Sequence, residues 1–399
     1  MRIGMLADVY KPVVSGVTNY ISLNKTYLES LGHQVFVFTF GHEDFEDEEQ
    51  GIIRSPGLPI LDTGYFLSLR YTKKAHRLLS TLDVAHVHHP FISGSLALRY
   101  LRPLRIPIVF TNHTRYDLYS QAYMPAMPDA FSTTALQAYL PSFCHSCDVV
   151  IAPSAGMKTV LQKFGVETEI EVVPNGVDLQ PFLGEVEAID RSHFGFKPED
   201  ILLVYSGRLG PEKNIPFLLR CFAGAAQAYE NISLLMIGDG QERDNLEDRV
   251  KYMGIQERVY FTGMVPYDQI PRYLAASDIF VTASVTEVHP LSIIEAMAAG
   301  LPVLGIRSPG IEDTIIDGKT GYLVASEDLA GFTAKMIRLI VDQERREHMA
   351  EQARASSRLY AIEKTSQLIL ERYQLAIERA SQKKLGVRER FRRWLDGFR

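Results

Sequence analysis

Cysteine is scarce, with three in 399 residues. That excludes a disulfide framework and points to a reducing compartment. Long apolar runs are missing as well, and none reaches the roughly 20 residues that a bilayer-spanning helix needs. Met1 leads straight into Ile3-Gly4-Met5-Leu6 with no charged leader, so no secretory signal is expected. The turn after this first strand, residues 7–17, lacks the G-x-G-x-x-G fingerprint, which counts against a dinucleotide-dependent oxidoreductase. An Asp-x-Asp metal pair is also absent.

What remains is ample apolar sequence in a chain long enough for two domains. Residues 1–180 alternate strands (2–7, 34–39, 84–87, 108–110 and 149–151) with helical stretches, the first of them at 17–31. Residues 42–56 are acidic and read as a loop. A second series has strands at 201–205, 233–237, 259–261, 279–281 and 303–305. Between the two lies Val173-Pro174-Asn175-Gly176-Val177-Asp178, turn chemistry that marks a hinge. The expected fold class is α/β, with two Rossmann-like doubly wound domains facing across a cleft. Their bounds are 1–180 and 181–358, followed by a helix at 359–380 that returns to the first domain and a tail at 381–399.

Chemistry concentrates in 284–300, S-V-T-E-V-H-P-L-S-I-I-E-A-M-A-A-G. Glu287 follows a strand and Glu295 lies on the next helix, with seven residues between them. Carboxylates at both ends of a strand–loop–helix turn can accept hydrogen bonds from the hydroxyls of one extended ligand at a sheet edge. After the second domain's first strand comes Ser206-Gly207-Arg208-Leu209-Gly210-Pro211-Glu212-Lys213-Asn214. Arg208 is a planar fork and Lys213 a mobile point charge, a pair suited to a diphosphate; two solvated surface cations are the plainer alternative. In the first domain, Gly16 opens a helix after Ser15, where backbone N–H groups can approach a phosphate. His113 ends a strand, a position shared by satisfied structural histidines and by catalytic ones. His86, His88 and His89 have spacing that could suit a metal. Cys144 and Cys147 form a C-x-x-C with no second pair, and core thiols are the better reading.

The Glu287…Glu295 stretch resembles the E-x7-E signature of retaining glycosyltransferases of family 4, which have the GT-B fold. The 207–214 loop is similar to that family's G-R-x-x-x-x-K-N motif, and Asp83 to His88 resembles its D-x-x-H-x-H segment, which holds no structural zinc. The resemblance implies that Glu287 contacts the donor sugar and Glu295 the nucleotide ribose. Arg208 and Lys213 would neutralise the leaving nucleoside diphosphate, and His113 would lie beside the reacting centre. Gly16, Gly207, Gly238, Val265, Pro290 and Leu291 would complete the nucleotide-sugar site. The family usually has Gly-Gly where Ser15-Gly16 stands, and often Gly where Pro290 removes a backbone donor. No cofactor and no metal is implied, since cationic side chains and helix dipoles would do what Mg²⁺ does in other transferases. The expected donor is a UDP-hexose, with GDP-mannose as the second choice.

The run His113-Thr114-Arg115-Tyr116-Asp117-Leu118-Tyr119 resembles branches that glycosylate membrane lipids, notably diacylglycerol glucosyltransferases. Tyr116, Tyr119 and Tyr123 would then serve the acceptor, although packing of a helical hairpin explains them equally. Residues 65–77 mix aromatics with bases. Residues 383–399 carry a net +5, leaving −11 elsewhere, and place Val387, Phe391, Trp394, Leu395 and Phe398 at helical spacing. A basic amphipathic helix of this kind lies in an anionic interface, unless it packs on the protein. The expected location is cytoplasmic, peripheral on the inner face of the cell membrane, with no nucleic-acid partner. A mannosyltransferase acting on a phosphoinositide or soluble glycan is the alternative within the class. A non-catalytic membrane-binding relative is the alternative outside it, disfavoured by the intact Arg208, Lys213, Glu287 and Glu295.

Overall fold

The structure is a computed structural model of the chain. It describes residues 1–42, 45–60, 65–123 and 129–396, with backbone only at 120–123, 129–132 and 383–396. Tyr123 and the tail side chains from 383 onward, predicted above to meet acceptor and membrane, therefore lie outside the described side chains, and residues 397–399 lie outside the described residues.

Two parallel sheets organise the chain. The first contains β1 (Arg2–Leu6), β2 (Gln34–Gly41), β3 (Ile52–Pro56), β4 (Val84–Val87), β5 (Ile108–Thr111), β6 (Val149–Ala152) and β7 (Ile170–Val172). Its spatial order is β3-β2-β1-β4-β5-β6-β7. The second contains β8 (Ile201–Ser206), β9 (Ile232–Ile237), β10 (Val259–Gly263), β11 (Ile279–Thr282), β12 (Val303–Ile306) and β13 (Gly321–Val324), in the order β10-β9-β8-β11-β12-β13. Both orders run outward one way and then reverse, as in doubly wound folds. The reversal falls between β1 and β4 in one sheet and between β8 and β11 in the other. A crevice opens at such a switch point, because the connections on either side depart to opposite faces. Inner strands such as β4, β5 and β11 are buried at every position, because helices cover both faces of the sheets.

Three of the four edge strands depart from the sequence reading. Residues 52–56, taken as part of an acidic loop, form β3, which pairs with β2. Strands β7 and β13 were not anticipated either. All three are edge strands; β3 and β7 carry charged residues, and β13, buried at every position, is only four residues long. A second difference concerns the C-terminus. The expected helix at 359–380 and the separate tail are one continuous helix, Ile362–Asp396. Its first half returns to the first sheet, as anticipated. Ile369, Leu370, Tyr373 and Ala376 are buried against Ile3, Met5, Val84 and Val109. The crossing is fixed where Val177 N–H donates to the Tyr360 carbonyl and Ile362 N–H donates to the Val177 carbonyl, each at 2.9 Å. Cys144 and Cys147 are buried and not joined in a disulfide, in keeping with core thiols, and Cys221 is buried as well.

Candidate active site

The loop after β8 carries the cations. It turns through a short 3-10 segment, Pro211–Lys213, and Asn214 adopts a left-handed conformation (φ 52°) before the next helix begins. Glu212 is buried within this loop and accepts a hydrogen bond from Arg208 at 2.9 Å. Lys213 points the other way. Its Nζ donates to Glu287 Oε1 at 2.6 Å, across the switch point from the loop after β11. Each of the two side chains is 19% exposed. Burial raises the affinity of Glu287 for a proton, but Lys213, Ser284 and Arg208 outweigh it, so its carboxyl sits below the ordinary range and is ionised at neutral pH.

The Glu287 loop is held from several sides. Gly310 N–H donates to the Glu287 carbonyl at 3.2 Å. A Cβ on Gly310 would come within 2.5 Å of that carbonyl oxygen, so glycine permits the approach. Asn175 Nδ2 donates to the His289 carbonyl at 3.0 Å, and Val288 is buried in the hydrophobic core of the first lobe. The carboxylate that faces Lys213 is therefore carried on a loop anchored to both lobes.

Glu295 lies on the helix Leu291–Ala298 and is buried, with Leu291 beside the N-cap Pro290. Burial pushes its carboxyl up to about 7, against the pull of Tyr267, whose hydroxyl donates to Oε1 at 2.9 Å. Tyr267 was not foreseen; only its place two residues after Val265 hinted at it. Val265 packs on the second lobe's core. Gly238 N–H donates to the Gly263 carbonyl at 3.1 Å, and Gly207 N–H to Ile237 at 3.0 Å. Gly238 has φ 128°, and a Cβ there would meet the Gly207 carbonyl oxygen at 2.1 Å. These loops are thus packed backbone against backbone, which only glycine allows.

In the first lobe, Gly16 starts the helix Gly16–Ser30 with Ser15 as N-cap. The Ser15 hydroxyl is occupied by the cap, accepting from Thr18 N–H at 3.2 Å. Above Gly16 there is open space, with nothing within 4 Å of a built Cβ. His113 follows β5, half-buried, its Nε2 3.0 Å from His88 Nδ1 and its ring 4.7 Å from that of Tyr20. Burial holds both imidazoles well below their usual value, so one neutral ring donates to the other. His86 is held near 3 by burial and bonds Tyr373 and Thr111 at 2.9 and 2.7 Å. His89 Nδ1 accepts from Asp8 N–H, and Asp8 in turn accepts from Ser93 N–H at 2.6 Å. The histidine row is wired to protein groups. Among the described residues, no three His, Cys, Asp or Glu are placed to share a metal ion.

The tyrosines divide. Tyr116 packs against Phe91 with its hydroxyl buried, a core role. Tyr119 reaches across the lobes, its ring centroid 5.6 Å from the Arg208 guanidinium, within cation–π range. Sequence reasoning found Tyr119 but not this partner, since spacing along a chain carries no information across a cleft. The loops that meet at the cleft thus bring Arg208, Lys213 and Glu287 from one sheet against the region of Tyr119 from the other.

Two doubly wound sheets with facing switch points, cations on one side and an open helix N-terminus on the other, define a GT-B glycosyltransferase. A family model described as "Glycosyltransferase Family 4" matches residues 14–181, and one described as "Glycosyl transferases group 1" matches 186–356. The "Alpha-monoglucosyldiacylglycerol synthase" of Streptococcus pneumoniae is 32% identical over 378 residues, covering 91% of this chain and 82% of that one. A protein of the same name from Acholeplasma laidlawii is 29% identical over 80% of this chain and 84% of its own length. Among solved structures, Anabaena Alr3699/HepE in complex with UDP and glucose superposes with a TM-score of 0.75 at 21% identity, covering 94% of this chain and 99% of that one. The chain belongs to the family 4 glycosyltransferases, in the group that resembles diacylglycerol glucosyltransferases.

Proposed function

We propose that this enzyme is a retaining hexosyltransferase that moves a hexose from a nucleotide sugar, a UDP-hexose first, to a membrane lipid acceptor, diacylglycerol or a glycolipid. The observation that carries the reading is the Lys213–Glu287 pair at 2.6 Å, set at the second sheet's switch point with Arg208 charge nearby. The names of the two synthase relatives support the acceptor, and the UDP and glucose bound by the Anabaena protein support the donor.

In this mechanism the bond between the anomeric carbon and phosphate breaks, and its electron pair leaves with the nucleoside diphosphate. Arg208 and Lys213 stabilise that charge without a metal ion, in a site whose dipoles are already oriented. The acceptor hydroxyl attacks from the same face, its oxygen bonds the anomeric carbon, and its proton passes to the departing phosphate. Glu287, ionised, accepts hydrogen bonds from sugar hydroxyls, while Glu295 accepts from the ribose. Gly16 offers backbone N–H to phosphate. Gly207, Gly238, Val265, Pro290 and Leu291 line the nucleotide-sugar side. His113 gives a neutral polar contact at the anomeric centre. Tyr119 serves the acceptor, with Tyr116 in the core behind it; Tyr123 is a further candidate from the sequence. The enzyme works on the cytoplasmic face of the membrane, attached through 383–399 and 65–77.

Screening radiolabelled UDP-glucose, UDP-galactose and GDP-mannose against extracted lipids tests this reading. Label in lipid from a UDP-hexose supports it. Label from GDP-mannose alone, or silence with every donor, overturns it.

A further inference from the structure

His88 follows β4 directly and His113 lies just beyond β5, the strand paired with it in the first sheet. His88 is fully buried, its ring packed against those of His86 at 4.1 Å and Tyr20 at 5.7 Å. Among the described residues it makes one hydrogen bond, between its Nδ1 and His113 Nε2 at 3.0 Å. Its other nitrogen, Nε2, is enclosed and has no partner among them.

That asymmetry settles which ring donates. Both imidazoles are held neutral by burial, so each carries one N–H. If His113 donated from Nε2, the His88 proton would have to sit on Nε2, an N–H sealed in the core without an acceptor. If His88 donates from Nδ1, its Nε2 keeps only a bare lone pair. Folded proteins leave buried acceptors short more readily than buried N–H donors. The second arrangement therefore holds, and it puts the proton of His113 on Nδ1. That atom bonds none of the described residues, and it is not enclosed as His88 Nε2 is, since His113 is only half-buried.

We propose that His88 is a positioning residue that locks His113 in the Nδ1–H tautomer, so that His113 meets the sugar as a hydrogen-bond donor. The working tautomer of an imidazole is set by the partner on its other nitrogen. This deepens the function proposed above and rests on its placement of His113 beside the anomeric centre. An Nδ1 that already carries a proton cannot take one from the acceptor hydroxyl, which leaves the departing phosphate as the destination of that proton. The hexose is then held between opposite partners, a donor in His113 and a hydrogen-bond acceptor in Glu287.

The test is nitrogen-15 NMR of the free enzyme labelled at histidine, at neutral pH, where the shifts of the two ring nitrogens distinguish the tautomers. The signals are assigned by their loss in H88N and H113N. Both His88 and His113 should carry the proton on Nδ1. A proton on His113 Nε2, or a charged His113, would overturn the proposal. No donor and no turnover enter this measurement, so its failure is separable from failure of the transfer reaction. Activity supplies the second arm. H88L removes the N–H at similar bulk and should lower kcat/KM about 10- to 100-fold, with UDP affinity unchanged by calorimetry. H88N returns an N–H near the place of imidazole Nδ1 and should recover most of that loss. Wild-type transfer by H88L, no recovery in H88N, or a parallel loss of UDP affinity that marks a merely structural role would overturn it too.

Discussion

Replacing Lys213 by alanine removes one partner of a contact at 2.6 Å whose members are each 19% exposed. Two costs follow and they are separable. In the resting enzyme Glu287 loses its nearest cation. Breaking a fully buried pair costs about 3–5 kcal/mol, and the residual exposure together with Arg208 reduces this to roughly 1–3 kcal/mol. In the transition state the departing diphosphate loses a preorganised positive charge, an effect worth about 2.7–4 kcal/mol at comparable sites. The expectation is a drop in kcat of about 100- to 1,000-fold, with a lowered melting temperature. The double variant Lys213→Ala/Glu287→Gln should recover much of the melting temperature, because no unpaired carboxylate remains. It should recover none of the turnover. The assay is steady-state transfer to detergent-dispersed diacylglycerol alongside thermal melting of all four members of the cycle. A Lys213→Ala enzyme within about threefold of wild type, or turnover restored with stability in the double variant, would refute a leaving-group role.

Glu287→Gln should impair transfer by about 100-fold or more while nucleotide affinity, measured calorimetrically with UDP, holds near wild type; equal loss of both would make Glu287 structural. Glu295 titrates near 7 in the free protein, and ribose hydroxyls bond its ionised form better, so UDP affinity should rise with pH toward 7 and then level, with proton release on binding. The same raised value favours the folded state at acid pH, a contribution fully present below the ordinary carboxylate range and lost as pH rises through about 7. Glu295→Gln should flatten the UDP profile, and a slope that survives it would contradict the assignment. Deleting 383–399 should weaken co-sedimentation with anionic vesicles, and unchanged binding would remove the tail from the attachment.

The inner strands were legible because burial on both faces writes itself as an unbroken apolar run, as in Ile279-Phe280-Val281. The edges were not. β3 spends Arg54 on a bond to Asp47 and β7 carries Glu171, so neither reads as apolar. Arg208, Lys213 and Glu287 were legible as candidates because each lies in a loop directly after an inner strand, beside the switch point, and Glu295 because it lies on the helix that follows. Their partners were less so. That Lys213 meets Glu287, that Tyr267 holds Glu295, and that His88 holds His113 are contacts between distant segments, visible only once the sheets are assembled. The boundary set at residue 381 follows charge and is not a break in the helix. Charge changes there but helix propensity does not, since Ala380, Gln382, Lys383, Lys384 and Leu385 are all good helix formers.

The most direct measurement is transfer from UDP-glucose to diacylglycerol by the chelator-treated enzyme, with the anomeric configuration of the glycolipid read by proton NMR. An α-linked product formed at an undiminished rate is the predicted result. A β-linked product, or activity that vanishes on chelation and returns with Mg²⁺, would contradict a cleft in which Arg208 and Lys213 receive the departing diphosphate without a metal ion.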